Sequence, residues 1–490
     1  MTVSEMFLLG ETKRLLREYD IRPKRSLGQN FCVDKKLLER MVAYANLCRD
    51  DTVLEVGSGF GFLTRCLLEV AKRLIAVELD PKLLNALRDC LGSNERVTIV
   101  SGNILKMKLP NFNKVVANPP YSISSQLIKL LFNIGFERAV LTLQKEFGEK
   151  LIAQAGTRNY GPLAVIAKYM ASVSVLENLP RESFYPQPKV ESVIVLIEAC
   201  ETKFNVVNKG LFFEVVGYLF TQRNRKVKSP LESFLLRKMG ISKAEAKLII
   251  ESLPFIKVRV CDMRPEDFGT LSNKIHIFLE GKRIGFKNHS FYVFPEVYEP
   301  AEDTFLAAEH LDVQKGDNVL DMGTGCGLLG VLAAEKAESV IVVDINPHAL
   351  ECAIFNAKLN NAADKVDTLL SDLFGGFKAE TRFDFIIFNP PYLPVDEKIR
   401  PEKWLERAWY GGRNGMEIID RFLKSVQEHV AKNGRVLMVQ SSLSNPEESV
   451  KTFREKGFET KVIAKEDFFF EKIMVIRAKK LARSEEDVEN

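Results

Sequence analysis

The sequence predicts an α/β protein in which two parallel-sheet units stand in tandem, with a small all-α segment between them. Internal repetition is the first reason. Asp51–Leu63 (DTVLEVGSGFGFL) returns as Asp317–Leu329 (DNVLDMGTGCGLL), and Leu74–Pro81 (LIAVELDP) as Val340–Pro347 (VIVVDINP), both at an offset of 266 residues. Asn118-Pro-Pro-Tyr121 returns as Asn389-Pro-Pro-Tyr392 at an offset of 271. Three matches in one order at nearly one spacing mark a duplicated unit, and the period is far too long for a solenoid. The second reason is local: short β-branched runs alternate with longer amphipathic ones, as βαβ units around a parallel sheet do.

Residues 1–200 are the first expected unit. Thr52–Val56 reads as a buried strand, Gly57–Gly61 as a turn, Phe62–Ala71 as a helix and Leu74–Glu78 as the next strand. A strand over Val115–Ala117 ends at Asn118, and one over Phe385–Phe388 ends at Asn389. Both Asn-Pro-Pro-Tyr motifs therefore sit at the carboxyl end of a strand, where open α/β sheets bind ligands. Residues 201–280 change character: Leu211–Phe220 and Leu231–Leu253 read as helices, and Thr221–Lys228 between them carries four basic residues. This segment is expected to be a small helical RNA-binding domain. From Gly281 the chain turns strand-like (Phe286–Phe294) and enters the second unit, 281–480. The acidic end, 481–490, is expected to be disordered.

Composition narrows the function. The chain has 490 residues, room for about two to four domains. It is 46% hydrophobic and 27% charged, ordinary for a soluble protein. No apolar run approaches the roughly 18–20 residues of a membrane span, so no membrane partner is expected. The start carries acids early and lacks an apolar stretch with a cleavage site, so a cytoplasmic location is expected. Eight cysteines form no CxxC pair, which argues against a zinc site or a disulfide framework; they read as reduced, mostly buried thiols, and no metal is expected. Residues 1–280 hold 41 Lys+Arg against 30 Asp+Glu, and residues 281–490 hold 28 against 35. A basic front suits a nucleic acid and an acidic back a different partner. All five histidines lie at 276 or later, which excludes a histidine base or nucleophile in the first unit.

Glu55-Val-Gly57-Ser-Gly59-Phe-Gly61 puts glycines between a strand and a helix, where backbone can approach a ligand. Gly323 and Gly325 repeat them. An acid closes the next strand 23 residues after the first one: Glu78 after Glu55, and Asp344 after Asp321. A carboxylate there can accept the ribose hydroxyls of an adenosine-containing cofactor. The spacing is GxGxG rather than GxGxxG, so the loop alone leaves a dinucleotide site or a structural turn open. Asn-Pro-Pro-Tyr adds chemistry. A planar amine is a poor nucleophile because its lone pair is delocalised. The side-chain oxygen of Asn118 or Asn389 can accept one amine hydrogen. The carbonyl of Pro119 or Pro390 can accept the other. The lone pair then turns toward an electrophilic methyl group, while Tyr121 or Tyr392 offers a face to a flat substrate. Positioning and electrostatics suffice.

On these residues both units resemble class I S-adenosylmethionine-dependent methyltransferases, which implies a Rossmann-like fold and that cofactor in each. The first, over about 20–275, resembles the KsgA-type small-subunit rRNA adenine dimethyltransferases. Leu27-Gly-Gln-Asn-Phe31, Glu55–Thr64 and Phe184-Tyr-Pro-Gln-Pro-Lys-Val-Glu-Ser192 carry the likeness. It implies cofactor contacts at Gln29, Asn30, Gly57, Glu78 and Asn118, with Cys32, Glu55, Gly59 and Asn103 beside them, and a target adenine sandwiched by Tyr121 and Phe184. The family usually carries Asp at Asn103, Leu or Ile at Pro119 and Leu at Cys32. Adjacent adenines of small-subunit rRNA, in a pre-30S-type particle, are the implied substrate.

The second unit, over about 285–480, resembles the HemK-type glutamine methyltransferases, closest to the archaeal/eukaryotic branch acting on class-1 release factors. Val297–Thr304 (VYEPAEDT) and Ala408–Gly415 (AWYGGRNG), the latter a substrate-side loop, carry it. The resemblance implies cofactor contacts at Thr304, Asp321, Gly323, Asp344, Asp372 and Leu373, with Gly325 in the same loop, and substrate positioning by Asn389. It also implies a small zinc-binding activator subunit. Open alternatives are a base amine of RNA or DNA as the second unit's target, an rRNA-binding assembly factor with a silent site, and a nucleotide-binding oxidoreductase.

Overall fold

The computed structural model describes residues 3–24, 28–395 and 401–481. Arg25, Leu27 and the acidic tail from residue 482 lie outside the described residues. Backbone contacts divide the chain into two compact units, residues 1–234 with 255–273, and residues 235–254 with 274–490. The division falls inside the helical segment expected over 201–280.

The first unit is built on a seven-stranded sheet. Its order is Val97–Ser101, Arg73–Glu78, Thr52–Val56, Lys114–Ala117, Arg138–Gln144, Ser192–Ala199 and Ala171–Leu179. Neighbours are parallel except around Ser192–Ala199, which is antiparallel to both its partners. The second unit repeats this order with Val366–Leu370, Ser339–Asp344, Asn318–Met322, Phe383–Phe388, Val430–Ser441, Lys472–Lys480 and Phe458–Asp467, and reverses only Lys472–Lys480. The duplicated sequence is thus a duplicated Rossmann-like fold.

The central strands Thr52–Val56, Lys114–Ala117, Asn318–Met322 and Phe383–Phe388 are mostly apolar and buried because helices cover both sheet faces. Alternate residues feed two hydrophobic layers: Val53, Leu74, Val116 and Val140 enter one, and their neighbours Leu54, Ile75, Val115 and Leu141 the other. In each unit the strand order reverses direction beside the first strand, so a crevice opens between the carboxyl ends of Thr52–Val56 and Lys114–Ala117, and of Asn318–Met322 and Phe383–Phe388. The helix after the second strand starts in the same way twice. Asp80 accepts from the Lys82 N–H and Asn346 from the His348 N–H, each with proline at the first helical position.

Several elements differ from the sequence reading. The helix after the glycine loop ends at Leu68, not Ala71. The stretch Leu231–Leu253 is two helices, Lys228–Lys238 and Lys243–Ser252, parted at Gly240 (φ +65°) and restarted by a reciprocal Ser242–Glu245 cap. The stretch Phe286–Phe294 is not one strand. Lys282–Phe286 and His289–Val293 form a hairpin that turns at Lys287 and Asn288. The cysteines are free thiols, but only Cys32, Cys326 and Cys352 are buried. Among the described residues no helix is long and apolar enough to cross a membrane.

Candidate active sites

In the first unit, Thr52–Val56 delivers the chain into Gly57, Gly59 and Gly61, all at positive φ. Gly57 also has a close neighbour, since a Cβ there would come 3.2 Å from Cδ of Pro120. The glycine loop and the Asn-Pro-Pro loop therefore pack against each other across the crevice. Glu78 Oε2 accepts from the Gly59 N–H at 3.0 Å, and Oε1 from the Leu79 and Asp80 N–H groups at 2.8 and 2.9 Å. Burial outweighs those bonds and raises its pKa. Glu55 accepts from Thr64 Oγ1 at 2.6 Å, and burial pushes its carboxyl up to about 8.

Asn118 is held at both ends. Its Nδ2 donates to the Asn30 carbonyl at 3.1 Å, and its Oδ1 accepts from the Thr142 hydroxyl. Gln29, Asn30, Cys32, Glu55, Gly57, Gly59, Glu78 and Asn118 all line one cavity. Asn103, Pro119, Tyr121 and Phe184 do not. The Asn103 side chain accepts from the Leu105 N–H at 3.0 Å and so caps the turn Ile104–Lys106. Tyr121 Oη meets Ser192 Oγ at 2.6 Å. Phe184 pairs with Cys32 in a two-residue antiparallel ladder and is only 1% exposed. That ladder joins the leading motif to the late Phe184–Ser192 motif. Phe184 is buried, and neither it nor Tyr121 lines the cavity.

Two basic residues have structural duties that the sequence does not reveal. Lys24 Nζ and Gln29 Nε2 both reach Asp80 Oδ2, at 3.3 and 3.2 Å, tying the leading segment to the second strand's exit. The Arg223 guanidinium donates to the Arg158 and Thr157 carbonyls at 2.8 and 3.1 Å.

The second unit repeats the acids. Asp344 Oδ2 accepts from the Gly325 N–H at 3.0 Å and Oδ1 from the Asn346 N–H at 2.9 Å; burial raises its pKa. Asp321 accepts from Thr324 Oγ1 at 2.6 Å and the Gly330 N–H at 2.8 Å. Burial pushes it up to about 7. It lies beneath the loop rather than on the cavity wall. Thr304, Gly323, Gly325, Asp344, Asp372, Leu373, Asn389, Pro390 and Tyr392 line a cavity of about 580 Å³. Asp372 is paired with Arg421 at 2.7 Å.

Asn389 is held differently from Asn118. Its Nδ2 donates to Asp303 Oδ2 at 3.1 Å and Thr304 Oγ1 at 3.0 Å, and Oδ1 is buried without a hydrogen-bond partner among the described residues. Tyr392 Oη donates to the same Asp303 oxygen at 2.9 Å. Burial and that carboxylate hold the phenol far above its usual range. Asp303 is 6% exposed. Sequence reasoning quoted it within VYEPAEDT without giving it a role; an acid beside a predicted site threonine was the only signal.

The loop Ala408–Gly415 lies on the Asn-Pro-Pro-Tyr exit. The Leu393 N–H donates to the Trp409 carbonyl at 3.2 Å, and the Gly411 N–H to the Leu393 carbonyl at 3.0 Å. A Cβ on Gly415 (φ +71°) would collide with the Tyr392 carbonyl oxygen, and one on Gly411 would stand 2.9 Å from its carbon. The glycines let two backbones touch, which brings Trp409 and Tyr410 to the cavity wall.

The second cavity falls within the roughly 300–1,000 Å³ of small-molecule sites. It offers glycine backbone at a helix start and a strand-end carboxylate, as an adenosyl group requires. The first unit has the same groups around a space of about 90 Å³. There the Phe31 ring lies 4.8 Å from that of Phe60, and a Cβ on Gly59 would stand 3.3 Å from Phe31 Cδ1. The residues fit the same cofactor.

Sheet order, glycine loop, strand-end carboxylate and Asn-Pro-Pro-Tyr together define each unit as an S-adenosylmethionine-dependent methyltransferase. Residues 21–252 match the ribosomal RNA adenine dimethylase model, and residues 301–401 the methyltransferase small domain model. A probable ribosomal RNA small subunit methyltransferase A of Methanococcoides burtonii is 36% identical over 265 residues, covering 54% of this chain and 97% of that one. Its counterpart in Methanothermobacter thermautotrophicus is 38% identical over 271 residues, covering 55% and 96%. Among solved structures, a dimethyladenosine transferase from Plasmodium falciparum is 27% identical, with a TM-score of 0.43, over 49% of this chain and 94% of that one. The chain belongs to the ribosomal RNA adenine dimethylase family and carries a methyltransferase small domain in its second half.

Proposed function

We propose that the first unit dimethylates the N6 amines of adjacent adenines in small-subunit rRNA, within a pre-30S-type particle, and that the second methylates a glutamine side-chain amide of a class-1 release factor. One observation carries the second half of this reading. The Asn389 oxygen is a buried acceptor with no partner among the described residues, in a side chain that lines the cavity, while both hydrogens of its amide are engaged. Such a group suits an incoming NH₂.

Each target nitrogen is planar, with a delocalised lone pair. The asparagine oxygen and the carbonyl of Pro119 or Pro390 accept its two hydrogens, drawing it toward tetrahedral geometry. S-adenosylmethionine, when bound, supplies the electrophilic methyl group. Fixed acceptors lower the barrier because they are oriented before the reaction begins. In the first unit the adenine must leave its stack to reach Asn118. The excess of Lys and Arg over residues 1–280 suits an RNA backbone, and Arg225, Lys226 and Lys228 of the helical segment 201–280 are exposed for it. The acidic second half favours a protein substrate over a nucleic acid, and Tyr298, Trp409 and Tyr410 give the cavity faces for a flat amide. A small zinc-binding activator subunit and a cytoplasmic location belong to the same reading.

The test is methyl transfer from labelled cofactor to immature small subunits and, separately, to release factor. Asn118→Ala abolishes only the first activity and Asn389→Ala only the second. Either substitution abolishing both, or neither, overturns the two-site reading.

A further inference from the structure

The second unit's cavity has one wall that amide positioning does not use. Strands Phe458–Asp467 and Lys472–Lys480 pair up to Asp467 opposite Lys472 and are joined by a short tip, Phe468 to Glu471. The tip is pinned. The Phe468 N–H donates to the Glu471 carbonyl at 2.8 Å, Lys472 Nζ pairs with Asp467 at 3.0 Å, and the Lys472 N–H donates to Ser442 Oγ at 3.0 Å. On this tip Phe469 is 92% exposed and Phe470 85%, the two most exposed large apolar side chains of the described residues. Their rings stand 4.6 Å apart, edge to face. Single exposed apolar residues are ordinary; two adjacent phenylalanines almost wholly in water, on a fixed turn, mark a contact surface.

The next residue points the other way. Glu471 lines the cavity, and its Oε2 is buried with no hydrogen-bond partner among the described residues. Its charge helps raise the phenols of Tyr298 and Tyr392, so it acts on the same space as Asn389. A buried carboxylate oxygen without a donor is costly, and a donor arriving with the substrate removes that cost.

We infer that the tip from Phe468 to Glu471 docks the protein substrate of the second unit. Glu471 Oε2 accepts a backbone N–H of the extended segment that carries the target amide. Phe469 and Phe470 seat on an apolar patch of the same protein. The cavity-wall residue Glu471 directly follows the aromatic pair, so a single approaching polypeptide meets both. A nucleic acid is disfavoured because the unpaired carboxylate repels phosphate. Of the cavity's two arginines, Arg421 is paired with Asp372 and Arg407 lies over the Trp404 ring. This inference rests on the protein-glutamine reading above.

The experiment uses the full chain and intact class-1 release factor, with steady-state kinetics and calorimetry for the cofactor. The double substitution Phe469→Ser with Phe470→Ser raises KM for release factor about tenfold or more, with kcat nearly retained and cofactor affinity unchanged. Glu471→Ala lowers kcat/KM about tenfold, and Glu471→Gln, which keeps a neutral acceptor, restores most of it. Wild-type KM in the double variant overturns the docking role. Glu471→Gln as damaging as Glu471→Ala overturns the backbone N–H assignment, since it would show that a cation is being read. Loss of RNA methylation in the tip variants would identify a nucleic-acid surface and overturn the inference. A wild-type chain that leaves release factor unmethylated refutes the glutamine reading itself, and is thereby distinct from the other failures.

Discussion

Asp303→Asn changes one atom and tests what fixes the polarity of the second site. Both oxygens of Asp303 are saturated with donors. Oδ2 accepts from Asn389 Nδ2 at 3.1 Å and Tyr392 Oη at 2.9 Å; Oδ1 accepts from the Thr304 N–H at 2.6 Å and Thr304 Oγ1 at 3.2 Å. An asparagine here brings an NH₂ group. If its oxygen stays on the Thr304 N–H, its nitrogen faces the Asn389 nitrogen, donor against donor. The cheaper arrangement turns the Asn389 amide over, so that its oxygen points inward and its NH₂ into the cleft. An incoming amide then meets a donor where it needs an acceptor. Losing that acceptor and opposing two donors costs about 2–4 kcal/mol, or about 30- to 1,000-fold in rate. The expected result is a fall of that size in kcat for release-factor methylation. Cofactor affinity by calorimetry, melting temperature and rRNA methylation stay near wild type, because side-chain volume is unchanged. Adding Asn389→Asp restores an acceptor toward the cleft and a matched pair inside, and recovers about tenfold over the single variant. Asp303→Asn with kcat within about threefold of wild type refutes the reasoning.

Thr142→Val removes the hydroxyl that donates to Asn118 Oδ1 and lowers rRNA methylation about tenfold, the worth of one hydrogen bond of about 1–1.5 kcal/mol, measured by labelled methyl transfer. Gly415→Ala places a Cβ against the Tyr392 carbonyl, costs about 1–3 kcal/mol of strain and abolishes only the second activity. Gly316→Ala also sits at positive φ, but nothing lies within 4 Å of its Cβ, so it leaves both activities intact and serves as the control. Burial lifts Glu55 from 4.5 to about 8 and Asp321 from 3.8 to about 7. Each folded carboxyl holds its proton more tightly than the unfolded one. The stability this gives is present in full at low pH and is lost as pH rises through those windows. Denaturant titrations from pH 5 to 8 should show Glu55→Gln and Asp321→Asn losing less stability than wild type, and parallel profiles would contradict this.

What the sequence made legible is what sits within a few residues of itself. Thr52–Val56 occupies its expected range, and the glycines that follow it sit at positive φ. The same holds at Asp80–Pro81 and Asn346–Pro347, where a capping side chain and a proline start a helix. Elsewhere short local signals override the hydrophobic runs. Gly240 with the Ser242–Glu245 box broke one expected helix, and Lys287–Asn288 turned one expected strand into a hairpin. Long-range pairing lay beyond the sequence. Nothing near Phe184 announces that it will pair with Cys32, and Lys24 gives no sign that it serves Asp80.

The contrast between the two asparagines shows where specificity resides. The repeated segments build both clefts and place Asn118 and Asn389 at equivalent strand ends. The groups that orient the two amides come from outside those segments. Asn118 is fixed by the Asn30 carbonyl on the leading segment and by Thr142 on the neighbouring strand; Asn389 is fixed by Asp303 and Thr304 on the helix Glu302–Glu309. The consequence is chemical. Asn118 Oδ1 already accepts one hydrogen bond and keeps a single lone pair for a substrate, whereas Asn389 Oδ1 keeps both. A base edge held by stacking needs one directed acceptor. A flexible amide entering a wider cavity gains more from an acceptor free to take it at a range of angles. On the proposed function, the same four-residue motif serves two substrates in one chain, because the residues that aim it were not duplicated with it.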